Sequence, residues 1–149
     1  MPHSYAQNRV HIVFSTKERK RLIEPALHGR LWKYVAGIAQ NHGMHVLAVG
    51  GVEDHIHMLI DLPPALPLAK AIQTIKANSS KWMNEHRLRR DFAWQEGYGA
   101  FSVSASNTRA VIAYIESQAE HHKRRSFEDE FVALLKKHGI QCDPKYVFG

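Results

Sequence analysis

Residues 44–61 read Met44-His45-Val46-Leu47-Ala48-Val49-Gly50-Gly51-Val52-Glu53-Asp54-His55-Ile56-His57-Met58-Leu59-Ile60-Asp61. Val and Leu dominate Met44 to Gly51, which reads as one strand, broken at Gly50-Gly51. His55 to Asp61 reads as a second, and the short gap makes the two a hairpin. Side chains alternate across a strand, so His55 and His57 leave the same face of the sheet. Met58, Leu59 and Ile60 put this strand inside the sheet, where polar side chains are costly unless used.

Outward from the hairpin the pattern continues. Arg9 to Ser15 alternates as a strand. Leu27, Leu31, Val35, Ile38 and His42 recur at steps of three and four, between Pro25 and Gly43, as an amphipathic helix. After the rigid connector Leu62-Pro63-Pro64-Ala65-Leu66-Pro67, a long helix carries Leu68, Ile72, Ile75 and Trp82 or Met83, with Lys70, Lys76 and Lys81 on its other faces. Phe92 to Trp94 and Ala100 to Ser104 read as short strand pieces around Gly97-Tyr98-Gly99. Ser106 or Asn107 is placed to cap a helix bearing Val111, Ile112 and Ile115. Ser126 with Asp129 fits a capping box before a last helix whose apolar face is Phe127, Phe131, Leu134 and Leu135, stopped at Gly139.

The expected fold is α+β: a ferredoxin-like βαββαβ sandwich with an antiparallel sheet and additional C-terminal helices. Its two core helices share one sheet face and leave the other free. One domain is expected over 1–149, with a core of about 5–122 and a helical tail of about 123–149.

The 149 residues are 44% hydrophobic and 23% charged, ordinary values for a globular chain. A single cysteine, Cys142, excludes disulfide frameworks and zinc ribbons. No apolar run approaches the roughly 18 residues of a membrane span, and Met1 to Lys20 lacks a signal peptide's apolar stretch. Cytoplasmic residence is the expectation. The net charge is +6 and the isoelectric point about 9.6, a balance that favours a polyanionic partner, most simply nucleic acid.

Two imidazoles on one strand face can hold a divalent cation. Glu53-Asp54, just before them, offers further oxygen ligands or a solvated turn. Tyr114 and Gln118 lie one helical turn apart on one face, with His121 continuing it and His122-Lys123-Arg124-Arg125 following. A tyrosine hydroxyl can attack a phosphodiester and form a phosphotyrosine. With a pKa of about 10 it needs help. A cation on His55, His57 and a neutral ligand such as Gln118 would polarise the phosphate. No GxxxxGK[ST] loop is present, so no nucleotide cofactor is expected. The reading requires that both imidazoles face the same way and that a DNA strand can reach them.

These stretches together resemble the single-tyrosine HUH transposases of IS200-like insertion sequences, which include the REP-associated tyrosine transposases. The resemblance spans His11-Ile12-Val13-Phe14-Ser15-Thr16-Lys17, His55-Ile56-His57-Met58-Leu59-Ile60 with Leu62-Pro63-Pro64, and Lys76 with Ser79-Ser80 and Trp82. It continues through Trp94 to Val103 and Tyr114-Ile115-Glu116-Ser117-Gln118 with His121-His122-Lys123. It implies Mg²⁺ or Mn²⁺ on His55, His57 and Gln118, and Tyr114 as the nucleophile. The reaction implied is cleavage of single-stranded DNA near a hairpin, leaving a 5′-phosphotyrosine and a free 3′-hydroxyl, in a homodimeric, bacterial protein. His121, His122, Lys123, Arg124, Arg125 and Lys76 are the expected DNA contacts, with Lys81, Arg87, Arg89 and Arg90 behind them. Trp94 and Tyr98 could stack on bases, although packing suits Trp94 better. The competing readings are a domesticated hairpin-binding protein without catalysis, and a metal-dependent nuclease that uses water.

Overall fold

The computed structural model describes residues 5–86, 91–121 and 125–143. Four strands form one sheet: β1 (Arg9–Ser15), β2 (His45–Val52), β3 (His55–Asp61) and β4 (Gly99–Ser102). Their spatial order is β2-β3-β1-β4, and every neighbouring pair is antiparallel. The helices are α1 (His28–Asn41), α2 (Leu68–Glu85), α3 (Thr108–Glu116), α4 (Gln118–His121) and α5 (Phe127–Lys137). The first six main elements thus follow the expected βαββαβ path.

α1 and α2 cover one sheet face. Ile12 and Phe14 of β1 and Ile56, Met58 and Ile60 of β3 pack there against Leu31, Val35, Ile72, Ile75 and Met83. The opposite face is not free, contrary to the expectation. α3 lays Ile115 on Ala48 and Leu59. α5 lays Phe127, Phe131 and Leu135 on Val13 and Phe101. At roughly 1.5–3 kcal/mol for each fully buried apolar side chain, those three residues hold α5 firmly to the sheet. This second layer is why nearly all of β1 and β3 is buried on both faces.

Three local expectations need correction. Gly50-Gly51 does not break β2: the strand runs to Val52, with Gly50 opposite His57 and Gly51 opposite Ile56. Phe92 to Trp94 forms no strand, only a bridge between Thr16 and Trp94. Neither Ser106 nor Asn107 caps α3 through its side chain: a 3-10 turn over Ala105–Asn107 leads into the helix, and Asn107 makes no cap bond. The cap of α5 is as read, the Ser126 side chain accepting from the Asp129 N–H at 3.2 Å. Gly139, at φ +68, takes the left-handed turn that ends that helix.

Gly50 has a packing role. A Cβ there would stand 2.2 Å from the Ile115 carbonyl oxygen, so α3 comes down on bare backbone. Gly50→Ala is therefore expected to destabilise the fold by about 1–3 kcal/mol, measured by denaturant unfolding, through overpacking against α3. Displacement of the helix that carries Tyr114 should accompany it.

Candidate metal and tyrosine site

The register of β1 and β3 assembles the site on the face under α3 and α5. His55 lies opposite Ser15, His57 opposite Val13 and His11 opposite Leu59. Opposed residues share a face, so His11, His55 and His57 all point to the same side. Both β3 imidazoles do leave one face, as the alternation requires. Neither has any solvent exposure, however. The expected access for a strand is closed in this arrangement by side chains that include Phe127, its ring centroid 4.8 Å from that of His55, and Glu130 of α5, itself 1% exposed.

Glu130 is the hub. Its Oε1 lies 2.9 Å from His57 Nε2 and 3.2 Å from His55 Nε2. Its Oε2 accepts from Gln118 Nε2 at 3.1 Å and from the Tyr114 hydroxyl. Gln118 turns its Oε1 to His55 Nε2 at 3.0 Å. The Tyr114 ring stands edge-on to His57, with centroids 5.7 Å apart. Tyr114 and Gln118 thus meet the imidazoles within one chain. Behind the imidazoles, His55 Nδ1 is 2.7 Å from Asp54 Oδ1 and His57 Nδ1 is 2.7 Å from His11 Nε2.

Charges in the site follow from burial and neighbours. Burial pushes His55 down, but the hydrogen bonds and charges of Asp54 and Glu130 outweigh it and hold the group at about 9. His11 goes the other way, to about 3, because burial and then His57 oppose a proton there. Burial, then the hydrogen bond to Glu130 and that residue's charge, raise the Tyr114 hydroxyl above its usual range. The phenol at rest is a held, protonated group rather than a free nucleophile.

The donor set suits a cation. The three ligand atoms of His55, His57 and Glu130 all lie within 4.8 Å of one another. Contacts of 2.9, 3.0 and 3.2 Å bring the two imidazole nitrogens, Glu130 Oε1 and Gln118 Oε1 together, so these four donors could hold a cation between them. Two nitrogens and two oxygens form a mixed donor set of the kind that holds a divalent cation.

Glu130 escaped the sequence reading, although a signal was present. Phe127, Glu130, Phe131 and Leu134 fall at i, i+3, i+4 and i+7, so a carboxylate sits on the apolar stripe of α5. A charge at such a position is costly unless paired.

Of the expected DNA contacts, Arg125 lines two surface clefts, one beside Tyr114 and one beside Asp54. The first, of about 360 Å³, lies between α3 and α5 and brings Tyr114, Glu130, Lys137 and His138 to its wall. His121 ends α4. His122, Lys123 and Arg124, and likewise Arg87, Arg89 and Arg90, lie outside the described residues. Lys81 reaches Glu85 at 3.7 Å on the exposed side of α2. The Lys76 ammonium donates to the carbonyls of Gln95, Glu96 and Gly97 at 2.9, 3.2 and 2.6 Å, tying the 95–97 turn to α2. Burial lowers Lys76 to about 8. A phosphate at Lys76 would have to replace one of those carbonyls. Trp94 is buried, donates to Ser79 Oγ at 2.9 Å and packs edge-on to Phe14 and Phe92, whereas Tyr98 is 38% exposed.

A sheet of this order, with a tyrosine and two imidazoles converging beneath added helices, defines a class that comparison with known proteins identifies. The family described as "Transposase IS200 like" matches residues 4–118, and the chain belongs to that family. The transposase for insertion sequence element IS200 of Salmonella typhimurium is 27% identical over 133 residues, covering 83% of this chain and 84% of that protein. The ISDra2 transposase TnpA of Deinococcus radiodurans is 27% identical over 119 residues, covering 75% of this chain and 84% of its own. Among solved structures, a protein from Deinococcus radiodurans assigned as a transposase superposes with a TM-score of 0.62 at 21% identity, over 79% of this chain and 96% of that one. A REP-associated tyrosine transposase bound to a REP hairpin superposes at 0.56 with 13% identity, over 77% and 68%. The chain is thus a transposase by family, with the α+β fold of these neighbours. Glu130 lies beyond the matched family segment.

Proposed function

We propose that this transposase cleaves and rejoins single-stranded DNA at hairpin-bearing ends through a covalent 5′-phosphotyrosine on Tyr114, with a divalent metal ion, Mg²⁺ or Mn²⁺, at the paired imidazoles. The observation that supports this most is the convergence of the Tyr114 hydroxyl, His55, His57 and Gln118 on one buried carboxylate. His55, His57, Glu130 and Gln118 would hold the ion. When bound, it supplies Lewis-acid polarisation of the scissile phosphate and charge for the leaving oxygen.

The chain's own part is positioning. Tyr114 presents its oxygen from α3 while His57 and His11 fix the ring edge-on. Attack on phosphorus would form the bond from the phenol oxygen and break the bond to the 3′-oxygen, with the phenol's proton passing overall to that oxygen, which leaves as a hydroxyl. The 5′ side stays on the tyrosine until another 3′-hydroxyl reverses the step. The cleft between α3 and α5 is the approach, since Tyr114 and Glu130 both border it and Arg125 and Lys137 supply positive charge. For DNA to reach the covered imidazoles, α5 would have to yield around Glu130. Tyr114 meets the imidazoles within one chain here; in a homodimer the Tyr114 helix of either subunit would serve, in cis or across the pair, and the dimer would hold two DNA ends together. No helix among the described residues is long and apolar enough to cross a membrane. Residence with DNA in the bacterial cytoplasm belongs to the same reading.

The test is to incubate the full chain with Mn²⁺ and end-labelled hairpin strands, then resolve products under denaturing conditions. A protein-linked 5′ product with a free 3′-hydroxyl fragment is expected. Cleavage without linkage would favour the water-using nuclease, and salt-sensitive binding without cleavage would favour the hairpin binder.

A further inference from the structure

We infer that His11 is a positioning residue for the metal site, setting the tautomer and ring orientation with which His57 presents its Nε2. The inference rests on the metal reading above. The two ring centroids are 5.0 Å apart with their planes inclined at 29°, and His11 Nε2 meets His57 Nδ1 at 2.7 Å. His11 is 3% exposed and stands on β1 diagonally across from His57, its directly opposed neighbours being Leu59 and Phe101. An apolar residue would suit that position for packing alone. An imidazole there is costly unless its nitrogens are used.

A histidine ligates through the nitrogen that carries no proton. With His57 Nε2 turned to the ion, the ring proton sits on Nδ1 and needs an acceptor, which His11 Nε2 provides at hydrogen-bond distance. With Nε2 donating instead to Glu130 Oε1, as at the 2.9 Å contact, Nδ1 carries no proton and His11 Nε2 donates to it. One neutral imidazole serves both states, because the same nitrogen can donate or accept according to tautomer. The His57 ring then keeps its place whether Nε2 faces the carboxylate or a cation. Asp54 stands in the equivalent position behind His55, 2.7 Å from Nδ1. The two ligands are thus held from behind by unlike partners, a carboxylate for one and an imidazole for the other.

The experiment titrates Mn²⁺ alone into the unaltered full chain, His11→Phe and His11→Gln by calorimetry, with thermal unfolding of each. Phe keeps the ring's bulk and removes the acceptor. Gln reaches a similar point with an oxygen or an N–H. His11→Phe is expected to weaken Mn²⁺ binding by about 10–100-fold, the usual scale for removing a partner behind a metal ligand. His11→Gln should recover most of that loss. Wild-type affinity in a folded His11→Phe would overturn the assignment. Equal weakness of the two variants would also do so, marking His11 as packing only. Should His11→Phe not fold, the ring ¹⁵N spectrum of the Mg²⁺-loaded unaltered chain decides: a coupling across the hydrogen bond from His57 Nδ1–H to His11 Nε2 supports the role, and its absence with Mg²⁺ bound rejects it. If the unaltered chain takes up no Mn²⁺, the metal reading falls and this inference falls with it.

Discussion

Tyr114→Phe is expected to eliminate the protein–DNA adduct, lowering strand cleavage by at least about four orders of magnitude, a scale seen when a covalent nucleophile is removed. The change takes away one oxygen and little else. The phenyl ring keeps its edge-on contacts with His57 and His11, so the packing under α3 is retained. Glu130 Oε2 loses the hydroxyl but still accepts from Gln118, and Oε1 keeps both imidazoles. The carboxylate is therefore not orphaned, and the stability change should stay near about 1 kcal/mol, the net worth of one hydrogen bond. Hairpin affinity without metal should be unaltered, because the basic groups at the α3–α5 cleft remain. A labelled-strand assay on a denaturing gel reads the outcome. An undiminished adduct would remove Tyr114 from the mechanism and leave the phenol as a packing group. Loss of the adduct with persistent cleavage would transfer the attack to water.

The strands that build the site were readable because their residues obey simple rules. β1 and β3 begin and end where the alternation and the apolar run place them, and the Ser126 cap sits where its spacing with Asp129 indicates. The face shared by His55 and His57 follows from strand geometry alone. What surrounds them does not. The covering of that face depends on long-range packing of α5 onto Val13 and Phe101, and the βαββαβ pattern is silent about elements added after it. Glu130 looked like one acid among three in a helix's first turn, where acids are common for dipole reasons. Only its place on the apolar stripe set it apart. Gly50-Gly51 was misread for a related reason. Glycine in a strand signals either a break or a close approach, and what approaches is α3, some sixty residues further along the chain. Lys76 shows the limit of reading charge from sequence, since its ammonium is tied to three carbonyls of a turn that periodicity does not place.

His57→Ala should abolish metal-dependent cleavage and weaken Mn²⁺ binding by more than about 100-fold, beyond the range for partners behind a ligand, since here a ligand itself is removed. The effect should exceed that of Gln118→Ala, whose amide oxygen is a neutral and weaker donor. Folding should suffer as well, by about 2–4 kcal/mol, because the ring fills space under Tyr114 and a cavity would remain. His57→Gln separates the two losses: it fills more of the space and can hydrogen-bond Glu130, yet offers no imidazole nitrogen. Glu130→Gln completes the comparison. It keeps the shape and hydrogen-bonding reach of the hub while removing the charge that faces both imidazoles at 2.9 and 3.2 Å. If Glu130 is a ligand, Mn²⁺ affinity falls in this variant and cleavage falls with it. If the carboxylate only seals the site, affinity holds and cleavage rises, because the variant binds the imidazoles less tightly and lets α5 yield more readily. Calorimetry with Mn²⁺ and a cleavage time course, run on the same preparations, distinguish the two outcomes.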